Sequence, residues 1–192
     1  MGKIIAIVGM AGSGKSIASE YLEKIGYKKI YFGGVIYEKM KEEQIEITPE
    51  SQKKFREDLR KKYGMGAVAK LLLEKISLLQ KTNDIVLDGL YSWEEYKILK
   101  EKFDNLIIIS IVADKNIRYK RIGSRKDRPF NTNEIKDRDI SEIENLAKGG
   151  PIAYADYYIL NNSNLEDYQN KLEKLLKKIE NGSESIWEKW LI

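Results

Sequence analysis

Short apolar runs alternate along this chain with longer stretches in which apolar residues recur every three or four positions. Lys3 to Val8 is β-branched and apolar almost throughout; after a Gly-rich interval, Ile17, Ala18, Tyr21, Leu22 and Ile25 follow at helical spacing, which predicts strand, loop and helix. Tyr27 to Phe32 reads as a second strand closed by Gly33-Gly34, with a helix over Val35 to Glu43. Thr48 is a predicted cap with Pro49 in the first helical turn, and Phe55 and Leu59 share the buried face of that helix. Val68, Leu71, Leu72, Ile76 and Leu79 mark a longer amphipathic helix after the Gly64 and Gly66 break.

The second half repeats the alternation. Asp84 to Asp88 and Leu106 to Ala113 are predicted buried strands separated by a helix over Trp93 to Phe103. Asp114 begins a helix bearing Arg118, Arg121 and Arg125, and Ile135 to Ala147 forms another, ended by Gly149-Gly150-Pro151. Tyr157 to Leu160 is the last strand, and Asn164 caps a helix containing Leu165, Tyr168, Leu172, Leu175, Leu176 and Ile179, with Asp167 placed as in a capping box. Apolar strands alternating with helices predict an α/β fold with a mostly parallel sheet covered on both faces.

At 192 residues and 42% hydrophobic, the chain suits a single domain over residues 1–180, with an insert near 34–80 and a lid near 118–147. Residues 181–192 form a predicted amphipathic tail, whose Ile186, Trp187, Trp190 and Leu191 offer a face for self-docking, homodimer formation or a partner. The formal charge of +4 comes from 34 basic and 30 acidic residues, without a basic stripe interleaved with aromatics, so an anionic small molecule is expected rather than nucleic acid. The absence of Cys and His excludes disulfides, thiol nucleophiles, histidine bases and Cys/His zinc sites. The strongest apolar run, Leu106 to Ala113, is far below the roughly 20 residues of a membrane span, and a cytoplasmic protein is expected.

Chemistry concentrates first in Gly9-Met10-Ala11-Gly12-Ser13-Gly14-Lys15-Ser16, a GxxxxGKS motif between the first strand and helix. Glycines at 9, 12 and 14 permit a tight turn that aims successive N–H groups at phosphate oxygens, while Ala11 and Ser13 contribute further loop backbone. Lys15 adds a mobile cation for the β and γ phosphates, and Ser16 a hydroxyl for Mg2+. Asp88 ends a buried strand on the side where open α/β sheets present ligands, as a second metal-side carboxylate or a base. ATP and Mg2+ are therefore the expected cofactors.

Arg118, Arg121 and Arg125 fall on one predicted helix face, and Arg128 continues the series into a polar loop. Positive groups aimed at a migrating phosphoryl group supply much of the rate of its transfer. Lys15, Asp88, Arg121, Arg125 and Arg128 form the candidate catalytic set; Arg118 is assigned with the loop to the nucleotide, and Arg138 lies at the far side. For an acceptor, the helical insert offers Arg56 and Arg60, four residues apart, while Tyr37, Tyr63 and Tyr91 are able to stack on a base or bond a hydroxyl.

These motifs, with Asp88-Gly89 and Ala155-Asp156-Tyr157-Tyr158-Ile159-Leu160-Asn161-Asn162, resemble the nucleoside monophosphate kinase superfamily of P-loop proteins, and within it dephospho-CoA kinases and their adenylate-kinase-like relatives. The resemblance spans roughly Lys3 to Ile179. It implies a three-layer sandwich around a five-stranded, mostly parallel sheet, an acceptor-binding helical insert, and a lid closing over both nucleotides. It also places Asn161 and Asn162 near the adenine of the donor. Phe32-Gly33-Gly34-Val35-Ile36-Tyr37 departs from the family pattern, which carries an Asp, and commonly an Arg, after the second strand. The expected activity is transfer of the γ-phosphate of ATP to a nucleotide or nucleotide-like acceptor, of nucleoside monophosphate or dephospho-CoA type. The alternative is a regulatory ATPase or nucleotide-binding module without an acceptor.

Overall fold

The computed structural model of the protein describes residues 1–125 and 130–181. Five strands, β1 (Ile4–Val8), β2 (Lys28–Tyr31), β3 (Ile85–Asp88), β4 (Leu106–Val112) and β5 (Tyr157–Leu160), form one sheet in the order β2-β3-β1-β4-β5, with every pairing parallel. The expected α/β sandwich is what the chain forms.

Every residue of β1 is buried, because this central strand is covered on both faces. Ile4, Ala6 and Val8 alternate toward one layer with Ile85, Leu87 and Ile108. That layer comprises α2 (Phe32–Glu42), α4 (Ala67–Leu79) and α5 (Trp93–Lys102), which contribute Met40, Leu72, Ile76 and Leu99. Ile5 and Ile7 turn to the opposite layer with Val86, Ile109 and Ile111, against α1 (Lys15–Lys24) and α9 (Leu165–Glu180). The two-residue period of a strand thus divides one apolar run between two cores.

Between β2 and β3 the chain passes through α2, α3 (Pro49–Tyr63) and α4; between β4 and β5 it passes through α6 (Lys115–Gly123), α7 (Thr132–Glu144) and the short α8 (Gly149–Ala153). The Thr48 cap forms, its hydroxyl accepting from the Ser51 amide, and the Asn164 side chain caps α9 through the Asp167 amide. Three local expectations are corrected. Helix α2 begins at Phe32, directly after β2, so Gly33 and Gly34 open a helix rather than close a strand. Gly149-Gly150-Pro151 starts α8 instead of ending a helix. Helix α6 stops at Gly123, so Arg125 does not share a helix face with Arg118 and Arg121.

Tyr31 and Asp88 lie in register, as do Ile7 and Asp88, so the carboxyl ends of β1, β2 and β3 open at one level. The chain goes from β1 to β2 and β3 on one side, then to β4 on the other. A crevice at such a reversal of strand order is where α/β sheets hold ligands. No helix among the described residues is long and apolar enough to cross a membrane. The amphipathic tail lies outside the described residues.

Candidate functional site

Gly9, Gly12 and Gly14 have φ of 144°, 78° and 101°. At Gly12 a Cβ would stand 2.7 Å from the Arg118 carbonyl oxygen, and at Gly14 it would run into the Asn161 amide. Both the left-handed backbone and the close neighbours therefore require glycine at these turns. The loop leads into α1, so its amides and the helix N-terminus share one anion-binding concavity.

The loop is braced from behind. Buried Arg118 on α6 donates to the Ala11 carbonyl at 2.9 Å and forms a two-pronged pair with Asp139 of α7 at 2.9 and 2.7 Å. Asn161, at the end of β5, donates to the Ser13 carbonyl at 2.8 Å, and the Tyr168 hydroxyl donates to the Gly14 carbonyl at 3.0 Å. Arg121 donates in turn to the Asn161 carbonyl at 3.0 Å. Arg118, assigned from the sequence to the nucleotide, is thus committed to the loop and to Asp139. Asn162 accepts the Asp114 amide at 2.9 Å and so ties the β5 end to the start of α6.

In front of the loop lies a cleft of about 1310 Å³. Ala11, Gly12, Gly14, Lys15 and Ser16 line it from the loop, Asp88 and Tyr31 from the strand ends, and Arg56, Arg60, Tyr91 and Glu95 from α3 and the segment after β3; Arg121, Arg125 and Arg138 also line it. Tyr37 is outside this lining, and its hydroxyl meets Gln52 at 3.2 Å. Tyr63 is an exposed side chain, and Arg128 lies outside the described residues. A smaller cavity of about 250 Å³ sits beside Gly14, bounded by Ile17, Arg121, Asn161, Leu165 and Tyr168.

The Lys15 ammonium donates to the Met10 carbonyl at 2.9 Å. Burial, followed by the nearby Lys148 charge, pulls its pKa down to about 7. Such a cation gains from any anion that enters the loop. Asp88 accepts from the Ser19 hydroxyl at 2.9 Å and stands 3.9 Å from Lys29. Ser16 and Asp88 present hard oxygen donors on the same cleft wall, a donor set that fits Mg2+. Among the described residues no cluster of three or more acidic side chains offers an all-protein metal cage.

Four functional candidates escaped the sequence reading. Ser19 orients Asp88 from one helical turn beyond Ser16. Glu95 accepts from the Tyr91 and Ser92 amides at 2.8 and 3.1 Å, and burial pushes its pKa up to about 7 despite those bonds. The pattern Ser92-x-x-Glu95 is a legible capping box, though its place in the cleft is not. Glu142 accepts the Ala11 amide at 3.0 Å and pairs with Lys148 at 2.9 Å. No local pattern announces these two, because Glu142 meets the loop across more than 130 residues of chain and Lys148 is joined to it through Glu142.

The model of the AAA domain family matches residues 5–147. A UPF0200 protein of Sulfurisphaera tokodaii is 39% identical over 179 residues, which are 92% of this chain and 97% of that protein. Among solved structures, a shikimate kinase from Bacteroides thetaiotaomicron superposes with a TM-score of 0.60 at 13% identity, over 93% of this chain and 98% of its own. TT1252 from Thermus thermophilus gives 0.62 at 18% identity, over 92% and 97%. At these identities the structural likeness is one of fold.

Proposed function

Because the chain belongs to the AAA domain family and to the UPF0200 proteins, and has the fold of P-loop kinases, we propose that it is an ATP-dependent small-molecule kinase. The observation that carries this reading is the continuous cleft from the Gly9-to-Ser16 loop to the Arg56 and Arg60 pair. In it a triphosphate would lie on the loop amides and Lys15. The cavity beside Gly14 and Asn161 would take the base of the donor. Mg2+, held by Ser16 and Asp88, would neutralise charge on the phosphates.

The acceptor would enter from the α3 side. Arg60 is half-buried in the cleft wall, its Nε buried and without a hydrogen-bond partner among the described residues, and partial burial holds its pKa below the usual arginine value. Together with Arg56 it suits an acceptor with a phosphate or carboxylate at one end. A nucleotide or nucleotide-like acceptor meets that demand and would stack on Tyr31 or Tyr91. Asp88, oriented by Ser19, would serve either as that Mg2+ ligand or, in its place, as the base toward the acceptor hydroxyl. Arg121, Arg125 and Arg138 stand ready to compensate charge on the migrating phosphoryl group.

The test is ADP release with ATP and Mg2+ across a panel of nucleoside monophosphates, deoxynucleotides, dephospho-CoA and shikimate. One acceptor should raise turnover by about a hundredfold or more, the gain expected from positioning two substrates. Turnover equal with and without every acceptor would leave a regulatory ATPase as the activity.

A further inference from the structure

Glu142, on α7 beside the phosphate-binding loop, puts a carboxylate oxygen, Oε2, on the Ala11 amide at 3.0 Å. The same oxygen pairs with the Lys148 ammonium at 2.9 Å, and Oε1 lies 3.4 Å from Nε of Arg138. Lys15 also feels this charge. A single anion thus already holds ligands that a phosphate oxygen would want, a loop N–H, a lysine and an arginine, with a second lysine close enough to feel its charge.

We propose that Glu142 occupies the seat of the donor's terminal phosphate, and that Lys148 and the Ala11 amide become ligands of that phosphate when it displaces Glu142. The inference rests on the reading of Gly9 to Ser16 as a triphosphate site. It adds a determinant that tells ATP from ADP.

Three features carry it. Lys148 is only 3% exposed, so its charge needs an anion at all times, and a phosphate oxygen can replace the carboxylate without leaving the ammonium bare. Glu142 experiences opposing influences: burial favours its neutral form, but Lys148, Lys15 and the Ala11 amide outweigh burial and hold its pKa below the usual value. It therefore stays ionised and is repelled by an incoming phosphate, which brings more charge and three oxygens to the same donors. Lys148 lies 4.5 Å from the centroid of the Tyr91 ring, and both line the same cleft as Lys15 and Glu142.

ADP, lacking the terminal phosphate, would fill the deeper loop amides and leave Glu142 on Ala11. ATP would free Glu142 and the last turn of α7, while Asp139 stays tied through Arg118 to the Ala11 carbonyl.

Calorimetric titration of ATP and of ADP, each with Mg2+, into wild-type protein and the Glu142→Gln, Glu142→Ala and Lys148→Met variants tests this. Removing the competing carboxylate should tighten ATP about tenfold while moving ADP less than about threefold, the scale of one charge-assisted hydrogen bond. Lys148→Met should weaken ATP about tenfold and bring the two affinities together. Unchanged ATP-to-ADP ratios in proteins that bind ADP would overturn the assignment while leaving the triphosphate site standing. Absence of binding of either nucleotide by every protein would overturn the triphosphate site itself, and the assignment with it. Should the variants not fold, hydrogen exchange on the wild-type protein decides: ATP, but not ADP, should speed exchange over the last turn of α7, residues 141–144, and identical patterns overturn the proposal.

Discussion

The two ends of the cleft are made of different material. The end proposed for the donor is backbone: three glycines at positive φ, loop amides and a helix start, held from behind by Arg118, Asn161 and Tyr168. The end proposed for the acceptor is side chain: Arg56 and Arg60 from α3, Tyr31 from the end of β2, Tyr91 from the turn after β3 and Glu95 from α5. A backbone site depends on a contiguous stretch and its local geometry. A side-chain site depends on which distant helices the fold brings together, and small changes of residue retune it.

Substitutions that act on one end and spare the other put this contrast to the test. The largest effect should come from Lys15→Ala, which is expected to cut phosphoryl transfer by about a thousandfold. Its thermal midpoint should be unchanged or higher, because a charge disfavoured by burial is gone. Full activity in that variant would remove the loop from the chemistry. Next, Arg118→Ala should cost about 3–5 kcal/mol of stability in urea unfolding, since it leaves Asp139 buried without its partner. A cost within the range of exposed pairs would show that the brace behind the loop is dispensable.

On the acceptor side, Arg60→Ala should raise the acceptor KM by about ten- to a hundredfold and leave ATP affinity nearly unchanged, as expected for loss of a charge-assisted contact. Equal weakening of ATP would merge the two ends into one site. The smallest effect concerns Glu95. Its folded pKa, near 7, lies above its ordinary value of 4.5, so the folded protein binds the extra proton between these pH values. Stability from this group is present below pH 4.5 and lost as pH rises through 7. Glu95→Gln should therefore match wild type near pH 4 and melt a few degrees higher at pH 8. Melting curves that stay parallel across that range would assign the carboxylate no titration in the window.

The same contrast explains what could be read in advance. Strands such as Ile4–Val8 and Ile85–Asp88 were legible because burial on both faces demands near-continuous apolar residues. The start of α2 was misjudged because Gly33 and Gly34 usually break structure, yet Phe32 is buried and anchors the helix directly onto β2. Arg118 was grouped with Arg121 and Arg125 by spacing alone. Burial separates them: Arg118 is 7% exposed and paired with Asp139, whereas Arg125 is exposed and beyond the helix end.

Spacing within a few residues was enough to specify the phosphate-binding loop, since the turn, its glycines and the helix start are set by local φ and ψ preferences. The α/β alternation was likewise local, because strand and helix periods express which faces must be dry. The rest waited on long-range packing. That Ser19 serves Asp88, that Asn161 and Tyr168 hold the loop, and that Glu142 and Lys148 sit upon it depends on contacts between elements far apart in the chain. Charged and hydroxyl residues are common on any helix, and only the packing of α6, α7, α9 and the end of β5 around one loop selects which of them reach it.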